Sequence, residues 1–242
     1  MMRALRRFVR AQEFLPGWGG IFLNPFFIAR RGLARAMADL GPSLKGRLLD
    51  VGCGTKPYAS LLAVDEYVGV EIDSPRARAL GIADAFYDGR RLPFENASFD
   101  AALCSEVLEH VFEPDAFIRE IGRVLRPDGA LLITVPFVWD EHEQPFDFAR
   151  YSSFGLKALL ERNGFAIVVQ RKIGTDVSVL FQLVNAYVYK LLPASRLVHR
   201  IVCAVVMAPI SLAGVALGAL LPPNADLYLD QAVLARRRAG SS

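Results

Sequence analysis

Residues 48–55 read Leu48-Leu49-Asp50-Val51-Gly52-Cys53-Gly54-Thr55. An apolar strand runs into a carboxylate and then into a Gly-x-Gly turn. Glycines there let the backbone turn tightly and approach a ligand closely. In an open parallel sheet, ligands bind outside the carboxyl ends of the strands, where such a turn falls. Taken alone the turn also fits a plain strand–helix connection or half of a dinucleotide fingerprint. The third glycine position of that fingerprint is Pro57, which argues against a nicotinamide cofactor.

Working outward, the pattern is strand–helix alternation. Arg47–Val51, Tyr67–Glu71, Phe99–Cys104 and Ala130–Val135 are short apolar runs. Asp115–Leu125 reads as a helix with Pro114 at its start and Pro127-Asp128-Gly129 at its end. Ser152 or Ser153 caps a further helix that stops at Asn163-Gly164. Phe165–Ile173 and Leu227–Ala235 complete the strands. This alternation predicts an α/β fold with a mostly parallel sheet covered on both faces. Tyr67-Val68-Gly69-Val70-Glu71 places a carboxylate about 20 residues after the glycine turn, where a ribose-binding acid is expected. A carboxylate is a pure acceptor and can take both ribose hydroxyls.

The ordered pieces LLDVGCGT, YVGVEID, DGRRLPFENASFD, CSEVLEHV, IREIGRVLRPDGALLITVP and RNGF cover residues 47 to about 173, with the last strand at 227–235. Together they resemble the class I S-adenosylmethionine-dependent methyltransferases of the methyltransferase type 11, ubiquinone-biosynthesis-like group. The resemblance implies a doubly wound, mostly parallel, seven-stranded Rossmann-like sheet with an antiparallel last strand. It also implies S-adenosyl-L-methionine as cofactor. Asp50, Gly52, Cys53 and Gly54 would line its methionine end, and Glu71 would bind the ribose, with Asp73 as the alternative. Ile72 would pack on the adenine, whose amino group would be bound by Asp88, with Gly89 supplying a backbone contact. Cys104 and Ser105 would lie under the sulfonium. One departure stands out: the family's third glycine is Lys56 here, followed by Pro57-Tyr58. The Asp/Asn-Pro-Pro-Tyr element that marks transfer to planar amino groups is replaced by Cys104-Ser105-Glu106, which favours oxygen or carbon acceptors.

On the acceptor side, residues 136–151 concentrate aromatics, acids and His142. The stretch resembles a His-Glu-x-Pro-x-Asp-x-x-Arg segment of methyltransferases linked to cell-surface glycan assembly. A sugar, lipid-linked glycan or small-molecule hydroxyl is the expected acceptor. His142 is the candidate general base, since imidazole titrates near neutral pH. The alternative is a loop-ordering network of His142, Asp147 and Arg150. His110 is expected to be structural. A non-catalytic cofactor-binding scaffold at a membrane is the alternative function.

The chain has 242 residues, 53% of them hydrophobic, and a net charge of +3, which excludes a disordered chain. Three scattered cysteines and no CxxC argue against disulfides and fit a cytoplasmic location. No His/Cys cluster has zinc-ligand spacing, so no metal is expected. The arginine clusters read as solvated faces and tail ends, and no nucleic-acid partner is expected. Arginines through the first ten residues leave no apolar core for a signal peptide. Residues 1–45 read as an N-terminal helical cap, beginning with an amphipathic stretch that carries Leu5, Phe8 and Val9. The cofactor domain spans 46–173 plus 227–236, and an apolar helical insertion occupies 174–226. Within the insertion, Ile201–Leu221 has 21 residues and no charge, with Pro209 and a Gly214-x-x-x-Gly218 pair. Pro209 is expected to split it into two short helices. The insertion would make peripheral contact with the cytoplasmic face of a membrane, or else form a cap or a homodimer face.

Overall fold

The computed structural model describes residues 11–240. The amphipathic stretch at 1–10 lies outside the described residues. Strand β1 (Arg47–Val51) is buried along almost its whole length, as a central parallel strand must be. It pairs in parallel with β2 (Glu66–Ile72), Leu48 opposite Tyr67, and with β4 (Phe99–Ser105), Asp50 opposite Leu103. With β3 (Ala85–Tyr87), β5 (Leu125–Pro136), β6 (Phe165–Ile173) and β7 (Asp230–Arg237), the sheet order is β3-β2-β1-β4-β5-β7-β6. The seven strands are mostly parallel with one antiparallel strand. The chain winds one way from β1 through β3 and the other way from β4 onward. The crevice opened by that reversal lies at the carboxyl ends of β1 and β4.

Three strands differ from the sequence reading: β7 runs Asp230–Arg237 rather than Leu227–Ala235, and β5 and β3 also depart from it. Strand β5 begins at Leu125 rather than Ala130. Leu125 pairs with Phe99, Arg126–Gly129 then bulge outward, and pairing resumes with Ala130 opposite Ala101. Asp128, at φ +61°, turns that bulge. Strand β3 is only three residues long, too short to show a periodic signal.

Contacts divide the chain into two compact units. One comprises, among the described residues, 36–137, 141–171 and 231–240. Helices α1 (Phe27–Leu40) and α2 (Pro75–Leu80) come earlier in the chain; helix α3 (Pro114–Val124) of this unit starts on a proline and buries Phe117, Ile118, Ile121 and Val124. Helix α4 (Ser153–Arg162) is capped by Ser152, whose Oγ accepts from Gly155 N, and buries Leu156, Leu159 and Leu160. These side chains share one core with Leu49, Val51, Phe99, Leu131, Ile133 and Phe165. Each such aliphatic or aromatic burial stabilises by roughly 1.5–3 kcal/mol.

The other unit comprises, among the described residues, 11–35, 138–140 and 172–230. The N-terminal segment and the insertion thus form one body rather than separate pieces. Gln182, fully buried on helix α5 (Ser178–Lys190), accepts from Ile28 N and Ala29 N and donates to Pro25 O. Helix α6 runs unbroken from Arg196 to Leu220, which corrects the expectation of two short helices. A π-helical turn at Cys203–Met207 widens the spiral ahead of Pro209, so the proline ring is accommodated in the first turn that follows. Gly214 and Gly218 are explained by packing within the chain. A Cβ on Gly214 would stand 2.7 Å from Phe181 Cβ, and one on Gly218 would stand 2.5 Å from Asp176 Oδ1.

Candidate functional site

At the end of β1, Gly52 takes φ +72°, and a Cβ there would meet Val107 Cγ2 at 2.5 Å. Glycine is therefore required by both conformation and contact. Gly54, at φ +48°, borders open space instead. Its N–H donates to Glu71 Oε2 at 2.8 Å, while Ile72 N donates to Oε1 at 3.1 Å. Glu71 is thus held at the glycine turn. Asp73, by contrast, is engaged bidentately by Arg78 at 2.5 and 2.7 Å. Lys56 occupies φ +53° in place of the family's glycine, and its Nζ reaches Asp84 Oδ2 at 2.5 Å. That same carboxylate oxygen accepts from Gly69 N, so the lysine ties the turn to β2.

Asp50 is buried and accepts a short hydrogen bond from Tyr67 Oη. Burial pushes its pKa up to about 7; the Tyr67 bond opposes this and the charge of Glu71 adds to it. Beyond β2, the Ile72 side chain is half exposed and its Cδ1 lies near Gly89. Asp88 Oδ1 accepts from Arg90 N and Arg91 N, which hold its carboxyl below the usual range. Ser105 Oγ is 2.9 Å from Thr134 Oγ1 at the end of β4. Burial pushes the Cys53 thiol up to about 12 and Cys104 well above its ordinary value. The Cys104 side chain is enclosed in the core, so of the Cys104–Ser105 pair only Ser105 presents a partly exposed side chain.

A second constellation follows β4. Glu106 takes φ +54°, and a 3-10 turn covers Leu108–His110. Glu109 is 0% exposed, and neither of its carboxylate oxygens accepts a hydrogen bond from another side chain. Burial, then the charge of Glu106, raises its pKa well above the carboxylate range. The loop at 141–151 closes on this turn. Phe148 N and Ala149 N donate to Glu109 O, and His110 Nδ1 lies 2.7 Å from Phe146 O. Arg150 clamps Asp147 bidentately at 2.5 and 2.6 Å and holds its pKa down to about 2. Asp147 Oδ2 accepts from His142 N and lies 3.3 Å from His142 Nδ1. The loop-ordering network of His142, Asp147 and Arg150 therefore exists. The same geometry turns His142 Nε2 toward Glu109 Oε1, 3.9 Å away, with the His110 ring stacked edge-on at 4.8 Å. Sequence reasoning passed over Glu109; the only signal was the Glu-His dipeptide itself.

A methyltransferase domain model matches residues 49–133. An O-methyltransferase of Aspergillus nomiae is 30% identical over 166 residues, covering 58% of this chain and 74% of the relative. The chain belongs to the class I S-adenosylmethionine-dependent methyltransferases. It spans 44–57% of the length of several other curated relatives. Among solved structures, the [4+2]-cyclase SpnF has a TM-score of 0.56 at 25% identity, with 88% of this chain and 82% of that one aligned. A Haemonchus contortus phosphoethanolamine N-methyltransferase solved with S-adenosyl-L-methionine has a TM-score of 0.55 at 18% identity, over 93% and 58% of the two chains.

The methyltransferase uses S-adenosyl-L-methionine, and the residues present fit that cofactor. Gly54 borders open space at the turn. Each Glu71 oxygen accepts one backbone N–H, which leaves a further lone pair on each for a diol. The exposed face of Ile72 offers an apolar surface to a planar base.

Proposed function

We propose that this methyltransferase transfers the methyl group to a hydroxyl of a sugar, a lipid-linked glycan or a similar small molecule, working at the cytoplasmic face of a membrane. The observation that carries the reading is the constellation after β4. There a clamped Asp147 orients His142, and the His142 Nε2 turns toward a buried carboxylate. Arg150 Nη2 also lies 3.5 Å from His142 Nδ1, so the ring's orientation is fixed by the Asp147–Arg150 pair, and an imidazole held in this way is suited to take a hydroxyl proton. Relatives from Aspergillus nomiae, Pyrenophora dematioidea and Penicillium expansum bear the name O-methyltransferase, which agrees with an oxygen acceptor.

In this reading Asp50, Gly52, Cys53 and Gly54 hold the methionine end, Glu71 takes the ribose hydroxyls, and Ile72, Asp88 and Gly89 surround the adenine. Ser105 and the Cys104 backbone sit beneath the reacting centre. Bound there, the cofactor supplies an electrophilic methyl on a sulfonium. In-line positioning of the acceptor by the loop at 141–151 supplies much of the rate. The test is incubation with methyl-labelled cofactor and a panel of glycosides and polyprenyl-linked sugars. Label recovered in a base-stable methyl ether is expected. Label in a base-labile ester, or on nitrogen, would overturn the hydroxyl assignment.

Helix α6 supports the membrane part. Leu197, Ile201, Val205, Leu212 and Leu220 are exposed along it, with Arg196 and Arg200 near its start. Its 25 residues span about 37 Å. Strands β6 and β7, which flank the insertion, are neighbours in the sheet, so both ends of the insertion return to one side. An in-plane helix with its apolar face in lipid satisfies that topology, whereas a single crossing does not. Flotation with anionic liposomes is expected to carry the protein upward, and Val205→Glu with Leu212→Lys to abolish this. Wild-type protein left in the soluble fraction would refute membrane docking.

A further inference from the structure

One ion pair bridges the crevice. Arg76 Nη1 lies 3.1 Å from Glu143 Oε2 and 3.4 Å from Oε1, and the two residues are 67 positions apart in the chain. Arg76 stands in the first turn of helix α2, just beyond Ile72, the last residue of β2. Glu143 stands in the loop at 141–151, which is seated on the 3-10 turn that follows β4. In the sheet, β1 lies between β2 and β4. A contact from the carboxyl end of β2 to a loop seated beyond β4 must therefore cross the carboxyl end of β1. The glycine turn and Glu71, which form the seat of the cofactor, lie at that crossing.

The loop is attached unequally on its two sides. On the β4 side, Phe148 N and Ala149 N donate to Glu109 O, and His110 Nδ1 lies 2.7 Å from Phe146 O. These contacts engage main-chain atoms and fix that edge. On the β2 side, the loop is held through Glu143, whose partner is Arg76. The side chains of Arg76 and Glu143 are 78% and 56% exposed, so water competes for both charges and the pair opens readily. Glu143 takes φ +48° and its carbonyl accepts from Phe146 N, so the tip of the loop is a tight turn that starts at this residue. His142 is its immediate neighbour in the chain.

We propose that Arg76 and Glu143 form a clasp that holds the loop at 141–151 closed over the bound cofactor, which makes this loop the lid of the methyltransferase crevice. Release of the clasp admits the cofactor and lets its demethylated form leave. Closure sets His142 above the seat and keeps water from the reacting methyl. A lid needs one fixed edge and one edge that lets go at little cost, and the main-chain contacts and the exposed ion pair supply these. Because Arg76 follows directly on the strand that carries Glu71, lid closure and cofactor binding are linked, and the linkage is reciprocal: bound cofactor favours the closed loop, and the clasp slows cofactor escape. Arg76 and Glu143 are thus positioning residues. Gating of the cofactor holds for any acceptor; only the placing of His142 rests on the hydroxyl reading above.

The test reads the lid without turnover. Dissociation of S-adenosyl-L-methionine from the full chain, followed by stopped flow, should speed up about two- to fivefold in Arg76→Ala and in Glu143→Ala, the range of one exposed ion pair. Arg76→Glu sets two carboxylates against each other and should speed it about tenfold. Arg76→Glu combined with Glu143→Arg should bring the rate back close to wild type, which a direct effect of either side chain on the cofactor would not do. Added salt should hasten escape from the wild type and leave Arg76→Ala unmoved. Amide hydrogen exchange across 141–151 should slow when cofactor binds the wild type, and far less in the single variants. Both side chains are exposed, so the variants should melt like wild type. Single variants that release cofactor at the wild-type rate, or a double reversal that rescues nothing, would overturn the clasp. Methyl label found on nitrogen or in an ester, with these rates as expected, would instead overturn the hydroxyl reading and leave the clasp standing.

Discussion

The two ends of the crevice are built by different means. At the carboxyl end of β1, the ligand-facing surface is mostly backbone: a glycine turn, the Gly54 N–H, and a carboxylate fixed by main-chain donors. After β4, the site is built by side chains, His110, His142, Asp147 and Arg150 around the buried Glu109, brought together by a loop folding back on a 3-10 turn. A backbone site is written in contiguous residues and tolerates little change at each. A side-chain site is assembled from distant residues and can lose one member while the fold survives. Substitutions at the two ends should therefore fail in different ways.

The largest effect is expected at Gly52. Gly52→Ala meets an unfavourable φ, costing roughly 1–2 kcal/mol, and a Cβ 2.5 Å from Val107, an overpacking that costs about 1–3 kcal/mol. Thermal denaturation should show a loss of about 2–5 kcal/mol, together with loss of cofactor binding. If the variant melts and binds like wild type, the backbone character of this end is wrong. His142→Ala should behave in the opposite manner. Turnover falls by about 10²–10⁴ as the proton acceptor is lost, while cofactor Kd and melting temperature stay near wild type. A matched fall in cofactor affinity would erase the distinction between the two ends. Glu71→Gln sharpens it further. Loss of a charge-assisted acceptor should weaken cofactor binding by about 10–100-fold, measured calorimetrically, with turnover at saturating cofactor far less affected.

The same contrast explains what could be read before folding. The parallel sheet, its winding reversal and the glycine turn follow from short apolar runs and local breakers, so residues 47–173 were legible. Glu71 rather than Asp73 reaching the turn follows from where the strand ends: β2 stops at Ile72, and Arg78 draws Asp73 away. Lys56 read only as a departure; its pairing with Asp84, 28 residues on, could not be seen locally. Glu109 was hidden because nothing in a Glu-His dipeptide says that the carboxylate is sealed from water and faces an imidazole from another loop. Helix α6 misled in the other direction: Pro209 looked like a break, but one π-helical turn absorbs it.

The smallest effect probes the buried carboxyl at the backbone-built end. Burial lifts Asp50 from the ordinary carboxylate range to about 7. The native protein therefore keeps this proton longer than the unfolded chain does. The stability it contributes is complete below about pH 4 and is lost as pH climbs to about 7. Cofactor binding runs the other way. An ammonium at the methionine end favours the ionised carboxylate, so binding below pH 7 expels the proton. Affinity should rise about tenfold between pH 6 and pH 8 and level off above that. Calorimetry at pH 6 in two buffers of different ionisation enthalpy should record release of nearly one proton. Asp50→Asn should flatten the profile, since no proton remains to be expelled. A flat wild-type profile with no proton release would mean that Asp50 stays neutral in the complex, and that backbone donors and acceptors alone bind the methionine end.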